Sequence, residues 1–513
     1  MKEFFGFGYQ AIPLFSWFYV PILLLYTRNK PYSNIISAYF VSSIGFCTGF
    51  LGTFRATPED PRFPLAWFLT IISLILNVIL IITLTAERYV TSHSQCIYKR
   101  VLLFPAVWTG LWFLVGRFGP LGDYPSLSTV LIQWSDFSQI ASLGGRSVLD
   151  FIVAVSGTIV FEFSSFPIQA LSMSDGSTVL LANSEVDEEY TADEEPNTTS
   201  RKRQYISLLV HPITIYSVIL TLAFTYGGFY VNVRPDSLYQ VTYPEYIPKT
   251  VPVGCVVGPG DAYPELQADH DVWFNKSAEL AEDGAKLVIW SEITTVVKND
   301  EDEQEFIQRA KDFALLHKVY LGVTYSLLEP VKKNKFVLVT KSGDVGIDYN
   351  KAHPVPGVET QAAGPNVLQY IDTEEFGRIG GAICFDFNFA DFIGQASTHK
   401  VDVMLQPSWT WGPIGTYHQQ GNILRPVENG FTLFRCVSQG VSGIFEPTLN
   451  GVFNQKVASN NDEKYVFYLP IQKRLVTLYS YIGDLFGYVC LMASFVLLVI
   501  TYRDSRRLHQ LSI

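Results

Sequence analysis

Hydrophobic and polar positions divide the chain into two regimes. Seven long apolar segments lie near 10–26, 34–53, 65–86, 101–116, 149–168, 207–230 and 479–502. Each spans or nearly spans a bilayer, which takes about 17–25 residues of helix. The clearest, "LAWFLTIISLILNVILIITLTA", carries no charge. The fourth is short enough to be partly re-entrant. From Thr250 the period changes. Short apolar runs alternate with amphipathic stretches: "TVPVGCVVGP" as strand, "DHDVWFNKSAELAEDG" as helix ending at Gly284, "AKLVIWSE" as buried strand. Then come "EQEFIQRAKDFALLHK" as helix, "VYLGVTYSLL" as strand and "KFVLVTKSGDVGIDYNK" as a hairpin turning at Ser342-Gly343. "IGGAICFDF" reads as strand, residues 389–399 as helix and "VDVMLQPS" as strand. This is an α/β pattern built on a layered sheet core. The chain therefore reads as a multi-pass helical membrane part over 1–230, an α/β domain over 231–478, and a last membrane helix with a basic tail over 479–513.

Composition supports that division. Of 513 residues, 48% are hydrophobic and only 17% charged, less charge than a soluble protein of this size carries. No cleavable signal peptide is evident at the start. Lys and Arg in the short loops set the orientation. Arg28 and Lys30, then Arg88, Lys99 and Arg100, then Arg201, Lys202 and Arg203, then Arg503, Arg506 and Arg507 mark the cytoplasmic ends. The opposite ends hold Lys2, Arg55, Arg62, Arg117 and Arg146. The N-terminus and the 231–478 domain then face outside or into a lumen. The acidic stretch at 172–205 cannot bury enough apolar surface to order itself and reads as a solvated linker. Its sequon at Asn197 is cytoplasmic and unused, whereas Asn275-Lys-Ser lies in the outer domain, open to glycosylation.

A net charge of −11 gives no basic footprint for nucleic acid. The six cysteines show no CxxC pair or metal-like spacing, so neither a disulfide framework, a metal nor a cofactor is expected.

Polar residues collect at strand ends: Glu292 after "LVIWSE", Lys351 after "GIDYNK", Cys384 and Asp386 after "IGGAICFD". Strand ends along one edge of such a sheet are where sites are commonly built. Singly, each of the first three is more often structural. Together they make chemical sense. A nearby ammonium lowers a thiol's pKa, a glutamate accepts the thiol proton and returns it to a leaving group, and a lysine stabilises a tetrahedral oxyanion.

The order Glu292, Lys351, Cys384, with "LVIWSEITT", "YNKAHPVPGVE" and "GGAICFDFNFADF" around them, resembles the Glu-Lys-Cys triad of the nitrilase, or carbon–nitrogen hydrolase, superfamily. "ILRPVENGFTLFRCVSQGVSGIFEPTLNG" is similar to that family's later strand–helix–strand segment. The resemblance implies an αββα sandwich. With "DFSQIASLGGRSVLDFIVAVSGTIV" and a domain placed before the last membrane helix, the chain resembles the apolipoprotein N-acyltransferase family, which acts in bacterial lipoprotein biosynthesis.

That resemblance implies a phospholipid acyl donor, Cys384 as nucleophile, Glu292 as base and Lys351 at the oxyanion, with a thioester passed to an amine acceptor. The family's second glutamate falls on Glu359, and Asp386 is a supporting acid. Trp290 and Trp411 are candidates for the acyl path, core aromatics being the commoner fate. The chain departs from the family in having Asp386 where a glutamate is usual, seven spans in place of eight, and the long 172–205 insert. These mark a divergent member. In a eukaryote its membrane would be the endoplasmic reticulum or another secretory membrane, and the acceptor could not be a bacterial lipoprotein. A membrane-tethered amidase and a non-catalytic scaffold on the same fold are the alternatives.

Overall fold

The computed structural model describes residues 12–50, 65–165, 206–232, 249–260, 267–412 and 414–511. Helices occupy the N-terminal apolar segments: α1 (Pro13–Thr27), α2 (Tyr32–Gly49), α3 (Leu65–His93), α4 (Ile97–Phe118), α5 (Arg146–Ile159) and α6 (Pro212–Asn232). The acidic 172–205 stretch, Asn197, Lys2, Arg55, Arg62 and Arg201 to Arg203 lie outside the described residues.

Among the described residues, three helices are long and apolar enough to cross a membrane: Trp67–His93 in α3, Ile97–Phe118, and Leu485–Arg507 near the end of the chain. The fourth segment is therefore no half-span. Its helix begins at Ile97 and runs 22 residues, and Lys99 and Arg100 in its first turn mask that start from hydropathy. Lys99 is paired with Asp504 at 2.6 Å. The fifth segment is shorter than expected. α5 has 14 residues and gives way to a 3-10 turn over Val160–Ser165. Arg28, at the end of α1, meets Glu87 of α3 at 2.7 Å and Glu162 at 3.5 Å, and Arg100 meets Glu162 at 3.1 Å. Part of the basic charge at these helix ends is thus neutralised locally.

The α/β part is a four-layer sandwich. The first sheet is built from β1 (Thr250–Val257), β2 (Leu287–Trp290), β3 (Thr295–Val297), β4 (Tyr320–Leu327), β5 (Lys333–Val339), β6 (Val345–Asn350) and a late strand, Glu463–Pro470. Its order is late strand–β1–β2–β4–β5–β6, with β3 also on β4. The helices α7 (His270–Glu282) and α8 (Asp300–His317) cover its outer face. Local chemistry explains α8. Asn299 caps it by accepting from Glu301 and Asp302 N–H at 3.0 and 2.9 Å. Four acids in its first turn complement the helix dipole. Asn275 is exposed on α7, while the sequon's Ser277 is buried.

The second sheet runs Gln455–Ser459, Gly440–Phe445, Thr432–Ser438, then β9 (Val403–Trp409), β8 (Gly377–Gly381) and β7 (Gln369–Thr373). In chain order the later strands are β10 (Thr432–Ser438), β11 (Gly440–Phe445), β12 (Gln455–Ser459) and β13 (Glu463–Pro470). Between β8 and β9 lies α9 (Ala390–Thr398). Between β9 and β10 lie α10 (Gly415–Asn422) and α11 (Leu424–Asn429). The chain closes with α12 (Leu485–Leu511).

Strand alternation sends Val253, Cys255, Leu287 and Ile289 inward to meet Ile379, Met404 and Phe434 of the second sheet. Val256, Val288 and Trp290 point outward under α7 and α8. Across that inner interface Cys255 of β1 is disulfide-bonded to Cys436 of β10, 181 residues away. The expectation of no disulfide is corrected here. The spacing carried no sign of it because sheet-on-sheet packing brings the two sulfurs together.

The loop after α4 joins the membrane helices to the sandwich. Asp123 pairs with Arg146 of α5 at 2.8 Å and with Arg425 of α11. Arg425 also holds Glu428 at 2.6 Å. Tyr417 donates to the Tyr124 carbonyl at 2.8 Å, and Asp123 N–H donates to the Asn388 carbonyl at 2.9 Å. Gly122 has φ +55°, and a Cβ there would stand 2.3 Å from Asn388 O, so only glycine lets the loop come this close.

Candidate active site

β2 is apolar throughout because both sheet faces are covered, and Glu292 follows two residues beyond its end. Its carboxylate is buried and accepts three hydrogen bonds. Asn334 Nδ2 and Lys351 Nζ donate to Oε1 at 2.8 and 2.7 Å, and Trp409 N–H donates to Oε2 at 2.9 Å. Lys351 leaves β6 with its own N–H on the Asn334 carbonyl at 2.9 Å. Fully buried, it lies between Glu292 and Glu359, whose Oε1 it meets at 2.6 Å. Burial opposes its charge, but the two carboxylates outweigh that and hold its pKa well above the usual value. Two of its three ammonium hydrogens are taken. Burial, with the Glu292 charge, pushes Glu359 from 4.5 up to about 7 against the pull of Lys351. Its second oxygen is buried without a partner among the described residues.

β8 ends at Gly381, earlier than the apolar run suggests, and the chain turns sharply into a 3-10 turn over Cys384–Asn388. Cys384 sits at φ +46°, a strained conformation for a side chain that is typical of functional positions. Its thiol donates to the Trp409 carbonyl at 3.5 Å. One peptide neighbourhood thus serves both groups, the N–H of Trp409 on Glu292 and its C=O on Cys384. Lys351 pulls the thiol pKa down, as expected, but it is outweighed. Burial, then the Glu292 charge, raises it above the ordinary value, and Lys351 only offsets part of this. The resting site therefore holds a thiol, and attack requires a base.

Asp386 reaches its partners despite the shorter side chain. Completely buried, it accepts from Tyr349 Oη at 2.8 Å and Ile383 N at 3.0 Å on Oδ2. On Oδ1 it accepts from His353 N at 2.8 Å and meets His353 Nδ1 at 2.9 Å. It ties the Lys351 segment to the Cys384 turn. Trp290 stays away from the site. It faces α7 and α8, packs on Phe274 and Phe306, and donates its N–H to Ser277 at 2.8 Å. Trp411 differs: it is buried at φ +53°, and its indole N–H finds no acceptor among the described residues. Sequence reasoning missed Asn334, Trp409, Gln406, Tyr349 and His353. Only the last two carried a signal, since they flank Lys351 in "YNKAH".

Beside Cys384 and Glu359 opens a pocket with an almost wholly apolar lining. Trp409, Trp411 and His418 form its wall on the sandwich side, while Phe50, Leu69 and Ile72 belong to the membrane part.

Residues 254–469 match the carbon–nitrogen hydrolase family. Over that stretch the chain is nitrilase-like. Over part of its length the chain is similar to apolipoprotein N-acyltransferase of Rickettsia bellii (strain RML369-C), at 24% identity over 326 residues, covering 57% of this chain. It spans 61% of the length of that curated relative. Among solved structures, an amidase from Nesterenkonia sp. shares 16% identity at a TM-score of 0.39, covering 47% of this chain and 95% of the amidase. A mutant of the Nesterenkonia sp. AN1 amidase, with the acetamide moiety of fluoroacetamide added at its active-site cysteine, shares 16% at a TM-score of 0.40. It covers 47% of this chain and 98% of that one. The nitrilase-like domain is thus carried on a multi-pass helical membrane part.

Proposed function

We propose that this protein is a membrane N-acyltransferase that moves an acyl chain from a phospholipid to an amine through a thioester on Cys384. The observation that carries this reading is the apolar pocket, which runs from the thiol to side chains of α2 and α3. A soluble amide needs no such route, whereas a lipid tail gains about 0.8 kcal/mol per CH₂ buried. Resemblance to an apolipoprotein N-acyltransferase supports the same reading.

In the first step Glu292 takes the Cys384 proton as sulfur attacks the ester carbonyl. The remaining Lys351 hydrogen receives the oxyanion. Collapse breaks the C–O bond, and Glu292 returns the proton to the departing lysophospholipid alkoxide. In the second step an amine attacks the thioester, Glu292 takes its proton, and the thiolate leaves and is reprotonated.

The catalytic part spans 231–478, between membrane segments over 1–230 and 479–513, and faces the non-cytoplasmic side. The buried Cys255–Cys436 disulfide supports that placement, because disulfides persist in oxidising compartments.

The test incubates purified protein with vesicles of phosphatidylethanolamine carrying a labelled acyl chain. Hydroxylamine-sensitive label should appear on Cys384 and move to an added amine. Absence of label from folded wild-type protein that releases ammonia from a soluble amide would establish an amidase instead.

A further inference from the structure

Two fully buried arginines in the nitrilase-like domain differ in their partners. Arg425 pairs with Glu428 and Asp123. Arg435, also fully buried, has no carboxylate partner among the described residues. Its guanidinium donates to the Val441 carbonyl at 3.1 Å, Gln406 Oε1 at 2.7 Å and His418 Nδ1 at 3.2 Å. None of these is anionic. Burial and the charges of Arg435 and Lys351 hold His418 far below its usual pKa, so its ring is neutral. With Nδ1 accepting from Arg435, the ring proton sits on Nε2.

Leaving a buried charge unpaired costs several kcal/mol, which asks for an anion that forms nearby. Arg435 and Gln406 are direct partners across the parallel β10–β9 ladder. Gln406 in turn donates Nε2–H to the Cys384 carbonyl at 3.1 Å. The chain of contacts therefore ends on the nucleophile, holding the carbonyl of a residue in left-handed conformation. Burial lowers Arg435 to about 10, and the groups that counter this are Cys384 and Glu292.

We infer that Arg435 is a positioning residue that acts through Gln406. It orients the amide that pins the Cys384 backbone and supplies the uncompensated positive charge against which the sulfur becomes an anion. The inference rests on Cys384 being the nucleophile, not on the identity of the donor or acceptor. The other charged or titratable groups around the thiol are Glu292, Lys351 and Glu359, with His418 at the pocket wall and Asp386 two residues on. When the Cys384 proton passes to Glu292, negative charge moves from a carboxylate already served by Lys351 and Asn334 to the sulfur. Arg435 favours that transfer because its charge acts on Cys384 and is not held in an ion pair by any carboxylate among the described residues.

The experiment is the pH dependence of Cys384 alkylation by iodoacetamide in the full-length protein, read by mass spectrometry, with the thermal midpoint as a control for folding. Arg435→Gln should move the alkylation profile at least one pH unit higher, which is about tenfold slower labelling at fixed pH. Arg435→Lys, which keeps the charge, should recover most of that shift. Gln406→Leu should slow labelling while leaving the profile near its wild-type position. A folded Arg435→Gln protein with a wild-type profile would overturn the inference. Should that variant fail to fold, labelling of Gln406→Leu at the wild-type rate would overturn it as well. Failure of the acyl-transfer reading would show separately, as no lipid-derived label on a thiol that still alkylates with the predicted profile.

Discussion

Tyr349 donates its phenolic hydrogen to Asp386 at 2.8 Å, and that bond joins the end of β6, where Lys351 begins, to the turn that presents Cys384. A shorter acid therefore performs the bridging at this position without loss of reach.

Replacing Asp386 by Asn should cost about 2–4 kcal/mol of stability, since an amide cannot accept on both sides and hydrogen bonds to charged groups are worth about 1.5–3 kcal/mol each. Cys384 alkylation should slow as the turn loosens. Asp386→Glu should also destabilise, by about 1–3 kcal/mol, because Asp386 is fully buried and an added methylene must displace its hydrogen-bonded neighbours. Thermal melts and labelling rates check both. A glutamate variant as stable as wild type would show the site to be roomier than the packing indicates.

Glu359 should make stability fall with pH. Its folded pKa, about 7, lies above the ordinary 4.5, so the folded chain holds a proton that the unfolded chain has released. That stabilisation is complete below about 4.5 and is lost as pH rises through about 7, on the order of 3 kcal/mol in all. Glu428, raised to about 7 chiefly by burial, adds a slope of the same sign, so the measurement is a difference. Melts of Glu359→Gln from about pH 4.5 to about pH 8, which bracket both pKa values, should show a shallower decline than wild type. Parallel curves would remove Glu359 from the account.

Trp411→Phe removes an indole N–H that has no acceptor among the described residues lining the pocket. Deleting an unsatisfied buried donor costs little stability, so the melting temperature should stay within a few degrees. If that N–H binds the acyl donor, thioester loading from lipid should drop by about tenfold, the worth of one hydrogen bond. Unchanged loading would make Trp411 a wall and nothing more.

The disulfide should be detectable directly. Cys255 and Cys436 are joined as a disulfide, so alkylation of the unfolded, unreduced protein should leave those two cysteines unlabelled until a reductant is added. Replacing both by Ser should cost about 2–5 kcal/mol. Protein with six free thiols after isolation from its native membrane would contradict an oxidising location for the domain.

Much of this site was legible in the chain. Glu292 and Cys384 each follow a strand-length apolar run and Lys351 follows an alternating one, and such runs end at a sheet edge whatever their neighbours. The helical membrane part was legible for the same reason, because hydropathy over twenty residues is a local property. The bounds of α4 and α5 were less so, since charged side chains paired within the bundle, such as Lys99 with Asp504, look like loop residues in one dimension.

What only the tertiary structure decided depends on register and on packing between layers. "LVIW" is apolar at every position, so nothing in it says that Trp290 faces the helices while Ile289 faces the second sheet. Cys255 and Cys436, 181 residues apart, meet because two sheets pack face to face. Arg435 stands opposite Gln406 because β10 pairs with β9 in one particular register. Order along the chain determined which chemical groups are present at the strand ends. Their protonation and their partners follow from burial and through-space charge, which arise only when distant segments pack together.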